Sequence, residues 1–137
     1  MSVLKGDTVY ENKDKNEIER DRKIKEQFAF FLGKGYTYRY LYQKGGDSAC
    51  VYIYRFLKNR DFFDVREVSG GNELNFVVCV GGEFSFPALK GKYKKEYWAF
   101  SLRHLLKRST QEERRAFLAK ILQKEYESEV TFFGIEK

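Results

Sequence analysis

The chain has 137 residues and a mass of 16.3 kDa, the size of one domain that can bury about two-thirds of its unfolded surface without metal or disulfide staples. Apolar residues make up 42%, with 13 Phe and 10 Tyr among the aromatics, and charged residues 34%, for a net charge of +6 and a mean hydropathy of -0.61. These values exclude a disordered tail and a collagenous or low-complexity chain, and no apolar run approaches the roughly eighteen residues of a membrane span.

The stretch from Met1 to Lys15 is polar and mixed in charge, without the apolar run of a signal peptide. It reads as a loose arm, with a short strand near Thr8 to Tyr10, ahead of a single domain over 16–137. Asn16 is a candidate N-cap with Glu17 and Glu19 in the first turn, where the helix dipole favours acids. Ile24, Phe28, Phe31 and Leu32 then recur at helical spacing, and Gly33 and Gly35 offer a C-cap, so the first helix is expected to end at about Leu32.

From Tyr36 the period falls to two. Tyr36, Tyr38, Tyr40 and Tyr42 alternate with Thr37, Arg39, Leu41 and Gln43, a strand with one aromatic face. A turn at Lys44–Asp47 leads into Ala49–Leu57, apolar on both faces. Further turns at Lys58–Asp61, Ser69–Asn72 and Gly81–Gly82 separate Phe62–Val68, Glu73–Val80 and Glu83–Phe86, the last ended by Pro87. After a loop at Gly91, a helix is expected from Lys94 to Lys107 with Tyr97, Ser101, Leu102, Leu105 and Leu106 as its apolar stripe. Thr110 and Glu113 form a capping box that starts a third helix, and Val130–Ile135 reads as a closing edge strand. Short turns between successive strands give an antiparallel meander. The expected fold is α+β: a sheet of four to five strands with an N-terminal helix and a C-terminal helical hairpin packed on one face.

The charge is uneven. Residues 90–115 hold nine Lys or Arg against three Glu, and this stretch alone balances at +6. The other unusual feature is aromatic: Tyr38, Tyr40 and Tyr42 stand beside Tyr52 and Tyr54 on the next strand, a possible stacking platform for bases or a cover for the sheet. The segment from Lys34 to Tyr42 starts like the RNP1 motif of RNA-recognition domains, but Thr37, Arg39 and Leu41 break it and a helix-first order departs from that fold.

Catalytic and metal patterns are missing. His104 is the one histidine, Cys50 and Cys79 lack C-x-x-C spacing, and no nucleophile elbow, zinc motif or P-loop is present. No cofactor is expected, and the acids Asp61, Asp64 and Glu67 read as solvated turn residues. A tight Arg108-Ser109 turn before the third helix has the outline of a helix-turn-helix, with Arg114, Arg115 and Lys120 off the apolar stripe.

The helix ending in Phe31-Leu32-Gly33-Lys34-Gly35-Tyr36, the Tyr-rich hairpin, the Arg55–Phe63 segment and Phe76–Val80 together carry a resemblance of layout. Over roughly residues 24–122 the chain resembles small bacterial domains of unknown function, some of them similar to immunity proteins encoded beside toxins. The resemblance implies a non-catalytic role in binding a protein partner. The basic charge sets this chain apart from immunity proteins that neutralise basic nucleases, which tend to be acidic.

The expectation is a cytoplasmic, non-enzymatic binding domain, monomeric or dimeric through the last strand, that makes no use of a membrane. Tyr38, Tyr40, Tyr52 and Tyr54, with Arg103, Lys107, Arg108 and Arg115, are the candidate contacts, since Tyr and Arg are enriched at interface hot spots. The alternative partner is nucleic acid, held by the basic stretch over 90–115.

Overall fold

The computed structural model describes residues 7–9, 15–44, 50–68 and 74–137. Six strands, β1 (Asp7–Val9), β2 (Thr37–Lys44), β3 (Cys50–Lys58), β4 (Asp61–Val68), β5 (Leu74–Val80) and β6 (Glu83–Ser85), form one sheet in chain order. Every neighbouring pair is antiparallel. The helices are α1 (Lys15–Gln27), α2 (Ala29–Leu32), α3 (Leu89–Lys92), α4 (Lys94–Arg103) and α5 (Gln111–Ser128). The α+β class and the meander are as expected. The sheet is wider than expected because Asp7–Val9 of the arm pairs with Leu41–Gln43. The turns expected over 45–47 and 69–72, and the rest of the arm, lie outside the described residues.

Turn chemistry sets the register. Asn59 (φ 58°) turns β3 into β4, and Gly81 and Gly82 (φ 61° and 82°) turn β5 into β6, the positive φ pair of a hairpin turn that follows the right-handed strand twist. Tyr38, Tyr40 and Tyr42 then stand opposite Phe56, Tyr54 and Tyr52. Phe56 faces Phe63 and Tyr54 faces Val65 on the next strand, with Glu67 opposite Tyr52, so one side of the sheet is a mainly aromatic and aliphatic surface.

The helices cover that side. The first helical run is interrupted at Phe28 (φ -106°, ψ 23°), where a change of direction lets both Phe28 and Phe31 enter the core. Phe28 packs 5.0 Å from Phe56 and Phe31 5.0 Å from Phe63, centroid to centroid. Gly35 (φ 94°) turns the chain into β2 while the Tyr36 amide donates to the Phe31 carbonyl at 3.1 Å. α5 adds Leu118, Ile121, Leu122 and Tyr126 to the same core. Its N-terminus has the expected capping box: the Glu113 amide donates to Thr110 Oγ1 at 3.1 Å, and the Thr110 amide to Glu113 Oε1 at 2.9 Å.

The opposite side carries a buried ion pair. Arg55 and Asp64, cross-strand neighbours, are joined by two hydrogen bonds of 2.8 and 3.0 Å, and the guanidinium lies 3.9 Å from the Phe62 ring centre. Arg66 adds a 2.8 Å contact to the same carboxylate. Glu67 points to the helical side, where the Tyr54 hydroxyl donates to it at 3.2 Å and Arg115 pairs with it. Asp64 and Glu67 are thus buried partners of arginines on opposite faces, not solvated turn residues.

The C-terminal edge strand is a correction. Residues 132–135 form a tight reversal closed by two 2.9 Å hydrogen bonds between Phe132 and Ile135. Positive φ at Phe133 (52°) and Gly134 (93°) reverses the chain there. The reversal drives Phe132 into the core, 5.1 Å from Phe31 and 5.4 Å from Phe63, so residues 130–135 are not the edge strand that the sequence suggests. Phe132→Ala should therefore cost about 3–5 kcal/mol in equilibrium denaturation, whereas Val130→Ala at the exposed start of the reversal should stay within about 0.5 kcal/mol of the parent.

Candidate functional site

The four candidate tyrosines lie on the sheet side that the helices cover. Tyr40 and Tyr54 are buried, and Tyr38 and Tyr52 are half-buried. α1 provides their polar partners: the Tyr38 hydroxyl donates to Asp21 at 2.7 Å, and Arg20 Nη2 donates to the Tyr40 hydroxyl at 3.1 Å. The Arg20 guanidinium also lies 4.8 Å from the Tyr52 ring centre and 5.2 Å from that of Tyr40. Burial and the neighbouring acids raise the Tyr38 and Tyr54 phenols well above the ordinary range, which is the chemistry of core hydroxyls. Tyr40 stacks on Tyr54, Tyr38 packs against Phe56 and Tyr52 against Tyr42, so Tyr40 and Tyr54 offer no open platform and Tyr38 and Tyr52 are only partly accessible.

Arg115 is also displaced from the expected surface. It is buried in an ion pair with Glu67, and its Nε donates to Gln27 of α1 at 3.2 Å. Within the same basic stretch Lys92 is held by Glu125 at 2.6 Å and Glu129 at 2.7 Å. α5 therefore runs through the core and presents no row of cations as a recognition helix would.

Arg103, Lys107 and Arg108 do remain exposed, on or just after α4. This helix is the anomaly of the fold, because none of its ten residues is buried. It rests on α5 through Tyr97 and Phe100, 4.9 and 4.5 Å from the Phe117 ring centre. Glu96 adds a 3.2 Å contact to Lys124. Sequence spacing selects Tyr97, Ser101, Leu102, Leu105 and Leu106 as the inward stripe of a helix reaching Lys107. In the structure the helix stops at Arg103; Tyr97 packs inward as expected, while Ser101 and the three leucines face water.

Trp98 is 69% exposed, Leu105 73% and Leu106 103%, with Leu102 at 44%. A contiguous exposed apolar patch of this kind marks a contact surface more often than chance placement of single apolar residues does. Lys94 and Lys95 at the start of α4, with Arg103, Lys107 and Arg108 near its end, rim it with positive charge. Trp98 is the component that sequence reasoning left out. Its signal was the chain's single Trp at a position off the assigned stripe.

His104 ends α4. Its Nδ1 lies 2.8 Å from the Phe100 carbonyl and its Nε2 3.2 Å from Glu113 Oε2, so the protonated ring ties the end of α4 to the first turn of α5. Hydrogen bonding to the Phe100 carbonyl, then to Glu113, raises the His104 pKa, while the Thr110 amide and His104 lower that of Glu113 to about 2. Among the described residues no group of three or more His, Cys, Asp or Glu is placed to hold a metal ion, and no helix is long and apolar enough to cross a membrane.

A histidine whose folded pKa exceeds its unfolded value stabilises below the unfolded value of about 6.5, and that contribution is lost as pH rises through the folded pKa. The α4–α5 junction should therefore loosen as pH rises through the raised His104 pKa. An NMR titration of the His104 ring should give a midpoint above about 6.5, and Glu113→Gln should lower it; an unchanged midpoint would contradict the tie.

Comparison with protein-family models, with curated proteins and with solved structures returns no match for this chain.

Proposed function

We propose that the chain is a non-catalytic binding domain that engages an acidic protein partner through the ridge of Trp98, Leu102, Leu105 and Leu106, as an immunity-like protein in the cytoplasm would. One observation carries this reading: α4 displays the ridge and has no buried residue, whereas each of the other described helices buries at least one. Trp and Arg supply large contact area and directional donors at the centres of protein interfaces. The basic rim selects an acidic surface and speeds encounter with it. The same rim opposes a second copy docking on the ridge, since Arg103, Lys107 and Arg108 would then face their equivalents. A nucleic-acid partner is less favoured, because Lys92 and Arg115 are already paired within the chain and an apolar ridge contributes nothing at a phosphate backbone.

The test is photo-crosslinking from a benzoylphenylalanine at position 102 in the native cell, followed by binding measurements with the purified partner. Trp98→Ala should weaken the complex about thirtyfold, a hot-spot loss of ~2 kcal/mol. The pair Arg103→Glu and Lys107→Glu should mainly slow association, with less effect at high salt. Crosslinks to nucleic acid, to lipid or to a second copy in place of another protein would contradict the reading, as would ridge variants that bind like the parent.

A further inference from the structure

Behind the ridge, the inner side of α4 closes a cleft of about 880 Å³. β6 pairs with Val78–Val80, so among the described residues the first half of β5 is a free sheet edge, and it lines the cleft. The segment from Phe86 to Lys90 makes one wall, and Tyr97, Phe100 and Phe117 make the other. The volume falls in the range of small-molecule sites, roughly 300–1,000 Å³, and the lining is mainly aromatic and aliphatic.

The charge of the lining has one sign. Arg66, Lys90, Arg108 and Arg114 contribute to it, and no Asp or Glu does among the described residues. Arg66 is compensated by Asp64 behind it, at 2.8 Å. Arg114 makes no direct ion pair with a described residue: its hydrogen bonds run to neutral oxygens, 2.9 Å to Ser109 Oγ and 3.0 Å to Gln111 Oε1. Arg108 is exposed and makes no ion pair with any described residue. Burial, and after it the nearby Arg108 charge, hold Arg114 below the ordinary guanidinium pKa, with Glu67 and Glu113 offsetting part of that repulsion, so two cations, neither in a direct ion pair with a described acid, line the same apolar cleft. A bound anion relieves that repulsion and receives directional donors from both.

We propose that the cleft binds a small organic anion with an apolar or aromatic body, its carboxylate or sulfonate head held by Arg108 and Arg114 and its body between Phe117 and the free edge of β5. Inorganic anions lack the body that the walls would cover, and neutral apolar molecules leave the arginine pair uncompensated.

The probe is 8-anilinonaphthalene-1-sulfonate, titrated into the full chain and followed by its own emission and by energy transfer from Trp98, with neutral N-phenyl-1-naphthylamine as the control. Saturable binding of the sulfonate is expected. Arg108→Glu should weaken it about tenfold or more and change the neutral dye by less than about twofold. Ser101→Phe, which pushes a ring into the cleft from the exposed surface of α4, should weaken both dyes. The ridge double variant Leu105→Ser and Leu106→Ser should leave both unchanged, which separates this cleft from the docking surface above. An Arg108→Glu chain with parental sulfonate affinity, dyes indifferent to Ser101→Phe, or binding abolished by the ridge variant would each overturn the proposal.

Discussion

The structure depends on the need to cover an aromatic sheet face. Phe63, near the centre of that face, lies within 5.0–5.7 Å, centroid to centroid, of Phe31, Tyr36, Phe56, Phe76 and Phe132. Rings just before β2, on β3, β4 and β5, on α2 and in the C-terminal reversal thus converge on one layer. Aromatic side chains bury large areas and fix ring geometry at little entropic cost, so the layer decides where every other element must sit. α1 and α2 lie over the Tyr-rich strands, α5 over the centre, and the last residues fold back to bring Phe132 into the cluster. α4 is the element that arrives after this surface has been covered.

That order of occupancy explains why the polar groups are arranged as they are. A tyrosine under a helix needs a hydrogen-bond partner, and α1 supplies Asp21 for Tyr38 and Arg20 for Tyr40. Glu67, on the same face, would be an uncompensated buried charge without Arg115 from α5. Cations from the basic stretch are therefore drawn into structural duty, and the positive charge left at the surface gathers around α4. An apolar ridge with a basic rim is what remains when the domain has satisfied itself. A second space, an open cleft, remains behind it, where α4 stands off from the edge of β5.

Much of this was legible in the residues. The switch to a period of two at Tyr36, the turn glycines at 81 and 82, and the Thr110–Glu113 capping box located strands, hairpins and the last helix by local chemistry alone. What periodicity does not contain is the identity of the cover. Alternating tyrosines describe a two-sided strand, and only the path of α1 decides which side is closed. Tyr97, Leu102, Leu105 and Leu106 likewise describe an apolar stripe, but Tyr97 meets Phe117 beside Phe100 while the three leucines stay exposed. The stretch Val130 to Phe133 has strand composition, yet positive φ at two successive positions reverses it. Trp98, outside both stripes as read, emerged only when the orientation of α4 was seen.

Hydroxyl-radical footprinting of the isolated chain, read out residue by residue by mass spectrometry, tests most directly whether the tyrosine face is closed and the α4 ridge open. Trp98, Leu105 and Leu106 should be oxidised rapidly, while Tyr40 and Tyr54 should be protected to a degree that vanishes only on unfolding. Labelling of Tyr40 and Tyr54 at rates normal for exposed tyrosine, or protection of Trp98 comparable to theirs, would contradict the account and return the sheet face to consideration as the functional surface.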